Sequence, residues 1–339
     1  MWKPLLYLLL GATLWGEDAG RIFWPAPPDP ARIEFISSFS SAEDLQIEKG
    51  FFSKVWDFLA GNEDRVLLKP FGLHVVGKRI YVGDVAARAV FVFDRAEKEM
   101  ILIEGSENEP FISPVDITTD GRGRIYVSDS VLGKVCVFDR EGDFLQEISD
   151  PGRMQRPVGI AVNDLLGRLY VVDAVKSQIH VFNLDGVYLR SIGKWGSAPG
   201  TFNRPTYIAI GKNGDLYVSD SMNHRVQILN AEGEFISSFG KLSKSIGGFA
   251  SPRGIALDSD ENIYVTDTLF NATQIFNKEG ALLLVVGHYG SRNGEFAVPE
   301  DIAITPDNRI FLADSFNMRV QTLKRLDVPE TLGGNDATH

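Results

Sequence analysis

Residues 204–240, RPTYIAIGKNGDLYVSDSMNHRVQILNAEGEFISSFG, decide the fold. The apolar runs at 207–210, 216–219, 226–229 and 235–239 are too short for helices and rich in β-branched and aromatic residues, so they read as four strands. Asn213-Gly214 is a strong hairpin signal between the first two, and Glu232-Gly233 turns the third into the fourth. The unit recurs along the chain. Asp220, at the end of the second run, belongs to a series with Asp84, Asp129, Asp173, Asp267 and Asp314, spaced 45, 44, 47, 47 and 47 residues apart. Pro70, Pro114, Pro157, Pro205, Pro252 and Pro299 keep the same phase. A period of this length marks a repeat array, and four short strands per repeat make it a β-propeller.

The sixth repeat ends at RVQTLKRL and lacks a fourth strand. EFISSF at 34–39 is identical to EFISSF at 234–239, the fourth strand of repeat four. The N-terminal strand is therefore expected to complete the last blade. The fold expected is all-β: a six-bladed propeller of four-stranded antiparallel blades over residues 32–326, closed by that strand. Closure leaves no unpaired gap in the ring.

The repeats resemble the NHL family of β-propellers. The likeness rests on PVGIA at Pro157 and PRGIA at Pro252, on the YVSD strands, and on the turns SMNHRVQ from Ser221 and SFNMRVQ from Ser315. The connectors GKWGSAPGTFNRP from Gly193 and GHYGSRNGEFAVP from Gly287 also fit. The family holds lyases, RNA binders, ubiquitin-ligase substrate domains and extracellular sensors, so the resemblance implies fold more than function.

In the amidating-lyase branch, a histidine directly after the blade proline supplies zinc ligands. Here those places hold Phe71, Val115, Val158, Thr206, Arg253 and Glu300, so a three-histidine zinc site is not expected. The lyase's loop tyrosine has Met222, Leu269 and Phe316 in its place. Lactonase-type propellers hold a divalent ion in the channel, and by that likeness Asp116, Glu300 and Asp301 could supply oxygen ligands to calcium. Arg253 stands one blade from Glu300 and could form an ion pair with it instead.

Composition narrows the function. The net charge of -11 and pI near 5.0 argue against nucleic acid, which requires a dominant cationic field. Cys136 is the only cysteine, which excludes an internal disulfide and a cysteine-built zinc site. Lys3, the apolar run 5–15 and the polar Glu17-Asp18 read as a secretory signal over 1–16, implying a periplasmic or secreted chain. Residues 17–31 read as a linker and 327–339 as a flexible tail. The insert 42–61 carries Phe51, Phe52, Val55, Trp56, Phe58 and Leu59 at helical spacing. It is expected to cap the propeller, with membrane or partner docking through 51–59 as the alternative.

In a four-stranded meander the b–c loops and d–a connectors share one face, here called the top. The connectors 149–157, 193–205, 240–252 and 287–299 carry Arg153, Arg156, Lys194, Arg204, Lys241, Lys244 and Arg292 against Asp150 and Glu295. Trp195, Phe202, Tyr289 and Phe296 lie among them. An anionic ligand or an acidic protein is the partner such an arc favours. The sixfold Asp reads as a structural turn residue, since catalysis would single out one or two copies. Channel-mouth and top-face candidates are Asp116, Tyr207, Arg253, Glu300, Asp301, Phe316, Lys194, Trp195 and Lys244. No nucleophile elbow or histidine-carboxylate pairing is legible. The sequence thus reads as an exported, monomeric, non-catalytic binding scaffold. A lactonase- or lyase-type enzyme with a channel ion is the alternative.

Overall fold

A computed structural model describes residues 21–26, 28–47 and 67–327. The expected signal, the docking segment 51–59 and the tail beyond 327 fall outside the described residues. Six sheets are present, five of four strands and one of five, and a two-stranded hairpin at Gly105–Ser106 and Glu109–Pro110 decorates one connector. Blade four consists of Pro205–Ile210, Leu216–Asp220, Arg225–Leu229 and Phe235–Phe239, which we name strands a to d. All its pairings are antiparallel. The six a strands are Pro70–Val76, Pro114–Thr119, Pro157–Asn163, Pro205–Ile210, Pro252–Leu257 and Pro299–Ile304. Each contacts the next and the sixth contacts the first, so they ring a central channel. The protein is a six-bladed β-propeller.

The ring is sealed as the repeated EFISSF implies. Ile33–Phe39 pairs antiparallel with Arg319–Arg325, in register from Ile33 opposite Arg325 to Phe39 opposite Val320. Part of the stretch expected as linker is also a strand. Phe23–Trp24 pairs with Glu34 and Ile33, giving blade six its fifth strand. A two-residue strand has no periodicity to read, which is why the sequence did not show it. The Trp24 ring packs against Gly294, where an added Cβ would sit 2.9 Å from its Cζ2. Within the insert, Glu43–Leu45 is a short 3-10 turn, and Ile47 is buried between blades six and one.

The apolar core is divided. Among the described residues, each of six clusters lies between two neighbouring blades: Val92 and Phe138 share one, Val172 and Val218 another, Phe311 and Phe91 a third. Sheets packed on both faces need apolar residues on both sides of a strand. Runs such as Ala89–Asp94 therefore show little alternation and are buried throughout. Cys136 is one of these core residues, and burial pushes its thiol up to about 12.

The turn aspartates are fully buried. Asp129 is representative: Oδ2 accepts the N–H groups of Ile112 and Ser113 at 2.8 and 2.9 Å, and Oδ1 accepts those of Val131 and Leu132, both at 2.9 Å. One carboxylate thus ties the d–a connector to the b–c loop, which places both on the same face. Blades four and six vary the scheme. Asp220 Oδ2 accepts from the side chains of Asn223, Arg225 and Gln227, and Asp314 Oδ2 from those of Asn317, Arg319 and Gln321. The S-x-N-x-R-V-Q motif is this brace.

Replacing Asp129 by Ala would strand four amides, at about 1–3 kcal/mol for each buried donor left unmet, before any relaxation. Urea denaturation should show a loss of at least ~2 kcal/mol, against less than half of that for an exposed control such as Asp143→Ala. Phe39→Ala, which removes a ring from the seam, should cost about 3–5 kcal/mol. Equal unfolding midpoints for the Asp129, Phe39 and Asp143 variants would refute both roles.

Candidate functional site

The site begins with the blade prolines. Proline lacks an N–H and is tolerated only where strand pairing is incomplete. Here register shifts follow it: Pro205 pairs with Asp220 but the next partner is Ile208, and Pro299 pairs with Asp314 before Ile302. In blades three to six the two residues after the proline are released from the ladder, in blades one and two only the first, and such bulges re-aim side chains. Tyr207, Arg253, Glu300 and Asp301 all occupy these released positions.

Two residues beyond the prolines the ring alternates: Gly72, Asp116, Gly159, Tyr207, Gly254, Asp301. The reason is space. A Cβ on Gly72 would lie 2.3 Å from the Val115 carbonyl oxygen, one on Gly159 2.5 Å from that of Thr206, and one on Gly254 2.6 Å from the Asp301 Cα. Every second a strand therefore gives up its side chain at this level, and Asp116, Tyr207 and Asp301 fill the room. The alternation is present in the sequence but emerges only when the six repeats are aligned on their prolines.

Asp116 Oδ2 accepts the Ile160 N–H at 2.8 Å, across to blade three. Asp301 Oδ2 accepts the Leu73 N–H at 2.8 Å, across to blade one. Even so, burial pushes the Asp116 carboxyl up to about 7, with the Ile160 and Ile117 amides pulling it only part of the way back. Asp301 is raised well above the carboxylate range, first by burial and then by the charge of Asp116. Burial also raises Glu300, opposed by Arg253 and Lys69. The Tyr207 phenol is raised by burial and by the fields of Asp301, Asp116 and Glu300. The five channel candidates thus share one electrostatic environment.

Several of their atoms lack partners. Tyr207 Oη, Glu300 Oε2 and Arg253 Nε are buried with no hydrogen bond, and Arg253 Nε stands 3.9 Å from Glu300 Oε2, within ion-pair reach but too far to bond. Glu300 is therefore engaged with Arg253. Among the described residues no group of three or more His, Cys, Asp or Glu is placed to hold a metal ion. His74, one blade away, is satisfied by Thr119 Oγ1 at 2.9 Å, and burial lowers it to about 4.

The rim candidates form a second region. Trp195 and Tyr289 are each 74% exposed, while Phe202 and Phe296 are fully buried, so the four aromatics split into two kinds. The buried phenylalanines lie against Gly193 and Gly287, both at positive φ, where a Cβ would meet the ring at 2.4 and 2.2 Å. Asn223 Nδ2 donates to the Gly196 carbonyl and Arg225 to those of Ser197, Ala198 and Thr201. Asn317 and Arg319 do the same for the Tyr289 connector. Both exposed aromatics thus stand on braced loops. Leu242, 67% exposed, is their equivalent in the intervening connector, and the sequence reading passed over it. Lys194, Lys241 and Lys244 are exposed and make no ion pair among the described residues, whereas Arg153 and Arg292 pair with Asp150 and Glu295. Phe316 is 63% exposed on the same face and carries Lys69 Nζ 5.7 Å from its ring centroid. Val131, Val175, Met222 and Leu269, two residues past their own turn aspartates, are exposed in the same way.

This architecture matches known propellers. The family DUF5128, described as a 6-bladed beta-propeller, matches residues 154–242. No curated protein matches the chain. Virginiamycin B lyase from Staphylococcus aureus is similar at 15% identity over 76% of this chain and 96% of that one, with a TM-score of 0.57. An auxiliary nutrient binding protein from Bacteroides thetaiotaomicron is similar at 13% identity over 77% and 70% of the two chains, with a TM-score of 0.61. A chain of a nidogen/laminin complex shares 20% identity over 65% and 81%, with a TM-score of 0.54. At these identities the likeness is one of fold.

The raised carboxyls make stability depend on pH. The ordinary Asp value is 3.8, and Asp116 holds its proton up to about 7 when folded. Between those values the folded chain binds more protons than the unfolded one, so stability falls as pH rises through that window. Asp116→Asn, which keeps an acceptor for Ile160, should flatten the decline. Urea melts at several pH values check this, and an unchanged slope in the variant would refute it.

Proposed function

We propose that the protein is an exported, non-catalytic NHL-type propeller that binds an anionic ligand or acidic protein through the top-face rim of blades three to six. The observation that carries this reading is the pair Trp195 and Tyr289, held out into solvent on braced loops beside unpaired lysines. Exposing a large aromatic ring normally costs stability, and a rigid loop that does so is arranged for contact. Rigid aromatics are effective anchors because little side-chain freedom remains to be lost on binding. The lysines add long-range attraction for negative charge in a chain that is otherwise acidic. The S-x-N-x-R-V-Q brace supports the NHL assignment. Export rests on the leader-like residues 1–16, and a monomer is consistent with a ring that closes without an open gap.

Capture from periplasm or medium tests the reading, with the unmodified chain run beside a Lys194→Glu/Lys244→Glu chain and a Trp195→Ala chain. A partner should bind the unmodified chain in a salt-sensitive manner. The Trp195 change should weaken it by about 2 kcal/mol, roughly thirtyfold. The charge reversal should abolish both binding and salt sensitivity. A partner held equally by all three chains would refute the rim as its site.

A further inference from the structure

We propose that the central channel is a separate binding site for a compact organic ammonium group, with Asp116 and Asp301 as its anionic wall and the Tyr207 hydroxyl as its remaining acceptor. This goes beyond the rim reading and does not depend on it.

The argument starts from what the fold requires at this level. The amides of Ile160 and Leu73 need acceptors, and Asp116 and Asp301 provide them. An asparagine would accept the same amides with no charge to desolvate. The carboxylates are therefore more than blade staples: two buried acids, one raising the proton affinity of the other, are unfavourable unless a cation joins them, and Arg253 is paired with Glu300 instead. The second line of argument is independent of titration. Tyr207 is 3% exposed and its hydroxyl has no partner, although it lies in the fields of Asp301, Asp116 and Glu300. Glu300 is taken up by its ion pair with Arg253, so the Tyr207 hydroxyl is the polar atom left over. Buried polar atoms in a native fold are nearly always satisfied, so this hydroxyl, buried in the field of two acids, marks the place of a missing group.

The chemistry of that group follows from the atoms. Oxygen acceptors outnumber donors, so the ligand donates hydrogen bonds and carries positive charge. The described residues offer no three-acid cage for a metal ion. A primary ammonium has three donors at tetrahedral angles and can be shared among separated oxygens. When it binds, a proton held by the Asp pair is released to solvent, so affinity should rise with pH.

Isothermal titration with n-butylammonium chloride tests the site on the full chain, with butanol and calcium chloride titrated in parallel. Butylammonium should bind about tenfold more tightly at pH 8 than at pH 6, as expected for release of one proton. The heat should vary with the ionisation enthalpy of the buffer. Asp301→Asn should abolish binding, and Tyr207→Phe, which leaves both acids and the packing in place, should weaken it several-fold. Thermal melts establish that both variants fold, and Tyr207→Phe serves alone should Asp301→Asn not fold. The proposal is overturned if butanol binds as well, if affinity is the same at both pH values, or if the folded variants keep full affinity. Displacement of the amine by one equivalent of calcium would also overturn it.

Discussion

One interaction recurs at every junction of this ring: a fully buried aspartate whose carboxylate joins the loop inside a blade to the connector arriving from the previous one. It is a demanding arrangement, because a buried charge is tolerable only when its acceptor sites are used. Four amides satisfy it in blades such as that of Asp129. In blades four and six, Asn, Arg and Gln side chains take over half of it. The substitution has a functional consequence. A backbone-only turn fixes its own loop, whereas an Arg reaching out to connector carbonyls fixes the neighbouring loop as well. Trp195 and Tyr289 stand on the two connectors held this way, which links a folding device to the display of two exposed aromatic rings.

Much of this was legible in the residues because it is repeated. Six copies of an apolar run ending in Asp specify blade number and strand order, and the duplicated EFISSF locates the seam. The structural role of the aspartates also followed from their equality. The features that were missed break or hide the repetition. Phe23–Trp24 is too short to show a period. Phe202 and Trp195 are both aromatics in one connector, and only the close fit of a ring over Gly193 decides which is buried. The crowding that turns alternate channel positions into glycine is a property of the closed ring, and no single repeat contains it. Glu300 illustrates the limit: the sequence put Arg253 one blade away from it, and only the closed ring shows the two within ion-pair reach, 3.9 Å apart.

The channel and the rim place opposite demands on charge. The acids in the channel are buried, and desolvation raises their proton affinities, with the charge of Asp116 adding to the rise at Asp301. The rim is exposed, and Lys194, Lys241 and Lys244 make no ion pair among the described residues. Because the turn aspartates hold both levels to one frame, a group in the channel and a partner on the rim would meet the same rigid ring. The propeller is suited to presenting two chemically distinct surfaces along a single axis.

The first and last strands meeting in one blade has a consequence for biogenesis. Every other blade is assembled from neighbouring stretches of chain, but the seam joins segments separated by nearly the whole polypeptide, the contact with the greatest entropic cost of closure. A product truncated before Arg319 would be an open arc with a bare strand at one end, a form that chaperones and proteases engage readily. Only a chain that extends through Arg319–Arg325 can cover that edge, so the geometry itself distinguishes a closed ring from shorter fragments.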